Sequence, residues 1–115
     1  MKRKALSGVA FVVASLLVSA PAQSQKNYSP GASDTDIKLG QTVPLSGPAS
    51  SFSSYGRVMV GFFQRINDQG GINGRRVNFM LLDNAYTPPK AIEQTRKLVE
   101  QDEILAEVGT LGTLP

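Results

Sequence analysis

Apolar and polar positions along the chain follow two periods in turn. In residues 37–43, Ile37, Leu39 and Val43, with Leu45 just beyond, occupy alternate places, the period of a β-strand, although Gly40 interrupts it. Pro44 closes this strand or lies at its edge, because proline has no amide to give an interior ladder. Ser46-Gly47-Pro48 is a turn signal. The period then changes: Tyr55, Val58, Met59, Phe62, Phe63 and Ile66 recur at helical spacing, with Arg57, Gln64, Arg65 and Asp68 mostly on the other side. Ser53 or Ser54 is placed to cap this helix. Gln69-Gly70-Gly71 ends it, since glycine accepts the left-handed conformation of a helix stop, and Asn73-Gly74 marks the turn that follows.

The near-continuous apolar run at 77–82 predicts a second strand buried on both faces, as in a parallel sheet covered by helices. A second helix opens at Thr87-Pro88-Pro89, with Thr87 as cap and Pro88 at the first position, where a missing amide does no harm. Ala91, Ile92, Thr95, Leu98 and Val99 form its buried stripe. Glu93 with Lys97 and Arg96 with Glu100 form solvent-side pairs one turn apart. A third strand is expected at 104–108, running into Gly109-Thr110-Leu111-Gly112-Thr113. The order β-α-β-α-β, with right-handed crossovers, predicts an α/β fold of Rossmann-like, three-layer type with a parallel sheet. The small polar loop after the first strand and the loop after the third then lie at one edge, and ligands of such sheets bind at that edge.

The N-terminus is a separate matter. Lys2, Arg3 and Lys4 precede an apolar run at 5–18, and Ala20-Pro21-Ala22 supplies small residues at a cleavage site. Residues 1–22 are therefore expected to be a secretory signal peptide, which places the protein in the periplasm. The run is too short to span a bilayer comfortably. Residues 23–35 are polar, with Tyr28 as the one large apolar group, and read as a flexible leader to a domain at 36–115.

Composition alters the picture in two places. The chain has 12 basic and 9 acidic residues, but three of the basic ones lie in the signal segment. The exported chain is neutral, and nothing points to a nucleic-acid partner. Cysteine and histidine are absent. Disulfides, thiolate nucleophiles, the commonest general base and the commonest metal ligand go with them. Gly40 and Gly47 lack the spacing of a dinucleotide loop, and no G-K-[ST] of a P-loop occurs. The reading is a non-enzyme without metal or cofactor.

Four stretches, IKLGQTVPLSGPAS, Tyr55-Gly56, INDQGGINGRRV and DNAYTPPKAIEQTRKLVEQDEILAEVGTLGT, cover nearly all of the exported chain. In this order they resemble the exported substrate-binding proteins of ABC transporters, in the branched-chain amino-acid (leucine/isoleucine/valine) binding family. The resemblance implies half of a type I periplasmic-binding-protein lobe, with residues 36–115 as an incomplete first lobe. It implies a monomer that closes two lobes on a small ligand, an amino acid or a related amide or carboxylate, and passes it to an ABC permease in the membrane. One lobe alone cannot close. Carried over by position, Tyr55 is the aromatic of the first loop, and Ser46 with residues up to 54 lines the near wall. Thr110, Gly112 and Thr113 supply hydroxyl and backbone groups for the ligand's carboxylate, with Thr113 the best single match. An extracytoplasmic sensor domain and a non-functional truncated product are the alternatives.

Each residue also has a plainer reading. Tyr55 lies on its helix's apolar stripe and suits a packing role equally. The serine-rich loop can be plain connection. Asp83, at the end of the second strand, suits a turn or helix cap better than a ligand contact. Arg75-Arg76 reads as a solvated turn.

Overall fold

The computed structural model describes residues 26–112. The signal segment and Thr113 lie outside the described residues. β1 (Asp36–Val43), α1 (Ser53–Asp68), β2 (Arg76–Asp83), α2 (Pro88–Glu100) and β3 (Ala106–Glu107) follow in the expected order. The sheet is parallel with strand order β2-β1-β3. β1 pairs with β2 from Asp36↔Arg76 to Val43↔Asp83, and with β3 at Leu39↔Ala106 and Gly40↔Glu107.

Alternation along β1 assigns its side chains to two faces. Val43 shares a face with Gln41 and meets α1 at Gly56, where an added Cβ would stand 2.8 Å from Val43 and from Leu81. Gly40 lies on the other face, and there a Cβ would stand 2.8 Å from Leu98 of α2 and 2.9 Å from Ile104. Two glycines thus let the helices approach the sheet closely, one on each face. Gly40 does not break the strand. The core is Val43, Phe63, Val77, Leu98 and Ile104. Phe63 stacks on Phe79 with ring centroids 4.8 Å apart. Asn67 ties the end of α1 to the start of β2, donating to the Val77 carbonyl at 2.8 Å and accepting its amide at 2.7 Å.

Several expectations need correction. A 3₁₀ turn, Ser50–Phe52, runs directly into α1, and neither Ser53 nor Ser54 caps it. The tighter turn satisfies the local amides through Ser50 to Gly47 and Phe52 to Ala49 bonds, so no side-chain cap is required. Thr87 does occupy the position before α2, with Pro88 opening the helix, but its side chain makes no capping bond. β2 is an edge strand of the described sheet, and residues 79–83 are half-buried, not enclosed on both faces. The helical stripes are wider than their contacts: Tyr55, Val58 and Phe62 of α1 and Ile92 and Val99 of α2 stay exposed. Lys97 pairs with Asp102 at 2.6 Å, whereas Arg96 and Glu100 form the expected pair at 3.7 Å. Glycine ends α1 as expected, Gly70 standing at φ +102°.

The segment read as a leader carries defined contacts. The Lys38 amide donates to the Gly31 carbonyl at 2.7 Å, and Ala32 bridges Ile37 in antiparallel fashion. Tyr28 and Lys26 both bond Asp34, and the Arg75 guanidinium lies 5.3 Å above the Tyr28 ring instead of standing free in solvent.

Candidate functional site

The carboxyl ends of the strands gather three loops: 44–52, 84–87 and 108–112. Asp83, the last residue of β2, joins the first two. Its carboxylate accepts the amides of Leu45 at 2.8 Å, Ser46 at 3.1 Å and Ala85 at 2.9 Å, accepts the Ser46 hydroxyl, and pairs with Lys90 at 2.9 Å. Burial, the largest single influence, pushes the Asp83 carboxyl up. The hydrogen bonds from Ser46, Lys90, Ala85 and Leu45 together outweigh it and hold the group well below the usual carboxylate range.

Asn84 joins the second loop to the third. It is fully buried, and its Nδ2 donates to the Leu111 carbonyl at 2.8 Å while its Oδ1 accepts the Tyr86 amide at 2.9 Å. Ala85 and Tyr86 both stand in the left-handed region, at φ 48° and 59°, an arrangement that side-chain-bearing residues adopt only when their surroundings hold them. Here Asp83 and Asn84 do so through the two amides.

Gln41 joins β1 to the third loop. It is fully buried, and its Nε2 donates to the Gly109 carbonyl at 2.6 Å. The Tyr55 hydroxyl, carried by the first turns of α1, lies against the same glycine. A Cβ at Gly109 would stand 2.7 Å from the phenol oxygen and 3.0 Å from Gln41 Nε2, and φ there is +62°, so the position suits glycine on both counts. The amides of Val108 and Leu111 donate to Gly40 and Thr42 of β1, while no backbone carbonyl of the described residues takes those of Gly109 and Thr110.

On the α2 side lies an open groove of about 680 Å³, walled by Ile92, Val99, Arg96, Glu107, Thr110 and Gly112 among others. The Thr110 hydroxyl donates to Glu107 at 2.7 Å, and the Thr95 hydroxyl lies 3.2 Å from the same carboxylate. With Glu107 there, an anion is disfavoured in this groove.

The five residues singled out from sequence therefore separate. Tyr55 stands 45% exposed, with its hydroxyl against Gly109 at the head of the third loop. Ser46 is held at the β2 end with its hydroxyl donated to Asp83. Thr110 turns its hydroxyl to Glu107, and Gly112 backs onto Asn84. Thr113 lies outside the described residues. Sequence reasoning passed over Gln41, Asn84 and Gly109. Gln41 carried a usable signal, being a polar residue on the same strand face as Leu39 and Val43. Chemically, the edge offers amides, hydroxyls and an aromatic ring. Among the described residues no group of three or more acidic side chains could hold a metal ion, and no helix is long and apolar enough to cross a membrane.

Comparison with known proteins identifies the family. The family model for periplasmic binding proteins matches residues 36–114. An amino acid binding protein of Pseudomonas aeruginosa is 35% identical over 75 residues, 64% of this chain and 20% of that one. Among solved structures, a possible leucine/isoleucine/valine-binding protein of Rhodopirellula baltica superposes with TM-score 0.62 at 26% identity, over 69% of this chain and 22% of that one. The branched-chain amino acid transporter substrate binding protein of Streptococcus pneumoniae, solved with isoleucine, gives TM-score 0.60 at 28% identity, over 65% and 22%. The chain thus spans about a fifth of the length of these relatives.

Proposed function

The chain belongs to the family of periplasmic binding proteins, and from that membership we propose that it forms the start of the first lobe of an ABC importer's solute-binding component. The solute is an amino acid of branched-chain type or a related small carboxylate or amide. Residues 1–22 direct export, and the partner is a membrane permease. The observation that carries the reading is the meeting of Tyr55 and Gly109. It sets the first-loop aromatic against the head of the third loop, where two amides have no backbone partner among the described residues. Such amides suit a ligand carboxylate, and the exposed phenol ring suits the ligand's apolar part. In the complete protein a second lobe would close over this wall, and ligand would stabilise the closed state by touching both lobes. No cofactor enters the reading.

The test is thermal denaturation of the full-length gene product with millimolar L-leucine, L-isoleucine or L-valine. Ligand that binds only the folded state adds about 3–4 kcal/mol of stability at 100–1,000 times Kd and so raises Tm. A rise with at least one of the three is expected. Absence of any rise with all three, in a cooperatively melting protein, overturns the amino-acid assignment.

A further inference from the structure

Gln41 is fully buried at the carboxyl edge, as are Thr42 and Asn84, and its bonding is lopsided. Nε2 donates to the Gly109 carbonyl at 2.6 Å, whereas Oε1 is buried with no hydrogen-bond partner among the described residues. An apolar side chain of the same length would remove the buried unpaired Oε1, and the Gly109 carbonyl that loses its donor sits on an exposed residue within reach of water, so the glutamine brings stability a cost as well as a bond. What it does supply is direction. The peptide linking Gly109 and Thr110 is trans, so its carbonyl and its N–H point opposite ways. By holding the Gly109 carbonyl inward, Gln41 turns the Thr110 N–H away from itself. No backbone carbonyl of the described residues takes that N–H, while the amides on either side of the pair, from Val108 and Leu111, are spent on β1. Glycine at 109 leaves this peptide otherwise free to rotate, which is why a lock has an effect there.

We propose that Gln41 is a positioning residue. It touches no ligand, but orients the Gly109–Thr110 peptide so that the Thr110 amide can receive a ligand carboxylate. This rests on the solute-binding reading above.

The test uses the ¹⁵N-labelled full-length gene product, with Gln41→Met as variant, exposed Gln64→Met as control and L-leucine as probe. In the unmodified protein the Gln41 side-chain amide should exchange with solvent at least about tenfold more slowly than that of Gln64, as a buried donor does. Gln41→Met should move the Thr110 amide resonance, weaken leucine binding by about tenfold, the value of one lost hydrogen bond to a charged group, and leave Tm equal or higher. Gln64→Met should do none of these. A merely structural glutamine would instead lower Tm and leave the Thr110 resonance in place, and that result overturns the proposal. So does a Gln41 amide exchanging as fast as Gln64, or unchanged leucine affinity in Gln41→Met. If the unmodified protein ignores leucine, the ligand assignment fails. The exchange rate, the Thr110 resonance and Tm then still decide whether Gln41 locks the peptide.

Discussion

Five donors from three stretches of chain meet at the Asp83 carboxylate: two amides and a hydroxyl from residues 45 and 46, the Ala85 amide and the Lys90 ammonium. Asp83→Ala removes the acceptor for all of them. A loss of about 1–3 kcal/mol is expected in denaturant unfolding, because some of the freed donors reach water and others do not. The pH dependence has a definite sign. A carboxyl whose folded pKa is depressed contributes stability above its unfolded value, near 3.9, and loses it as pH falls toward the folded value. The melting temperature should therefore fall between pH 5 and 3, and Asp83→Ala should flatten that fall. Sequence alone shows a strand-end aspartate suited to a turn, and the Ala85 bond meets that expectation. Its hold on residues 45 and 46 was invisible, because nothing in the intervening chain announces which turn the carboxylate will reach. Gln41 is the opposite case. Its strand face was legible, but its partner Gly109 depends on the placement of β3.

At the scale of elements, the period of the pattern identified α1, α2 and the three strands but not the 3₁₀ turn Ser50–Phe52, and packing decided how much of each was used. α1 shows the difference. Its apolar stripe runs from Tyr55 to Ile66, yet Val58 and Phe62 remain exposed because the strands meet only one side of it. Two glycines in this helix should respond oppositely to substitution. Gly56→Val pushes a side chain into Leu81 and Val43, and should destabilise by about 1–3 kcal/mol. Gly61 has nothing within 4 Å of an added Cβ, so Gly61→Ala should stabilise by about 0.5–1 kcal/mol through helix propensity. Chemical denaturation of both variants checks the pair. β3 is shorter than its apolar run suggests. Glu103 at φ 52° and Gly109 at φ 62° turn the backbone at either end, leaving Ala106–Glu107 as the paired strand. Propensity speaks to strand character but not to such turns.

The whole molecule is organised by β1, the middle strand, whose two faces receive one helix each. The parallel α/β class was legible from the order and spacing of elements, because right-handed crossovers leave few alternatives, whereas the strand order β2-β1-β3 and the edge position of β2 were not. The edge at which to look for a site followed from the same rule. The sharing of that edge did not follow. Tyr55 and Gly109 lie on the α1 side, whereas Thr110 and Gly112 border the α2 groove with Glu107, a division that only the sheet's two-sidedness creates. The proposed carboxylate site is the third-loop amides with Tyr55, and not the α2 groove, where Glu107 disfavours an anion. The measurement that bears on this most directly is amide chemical-shift mapping of the ¹⁵N-labelled full-length gene product titrated with L-isoleucine. The account predicts the largest shifts at residues 45–55 and 109–113. Shifts centred instead on Ile92, Thr95 and Val99 along the α2 groove, with residues 45–55 unmoved, would contradict it.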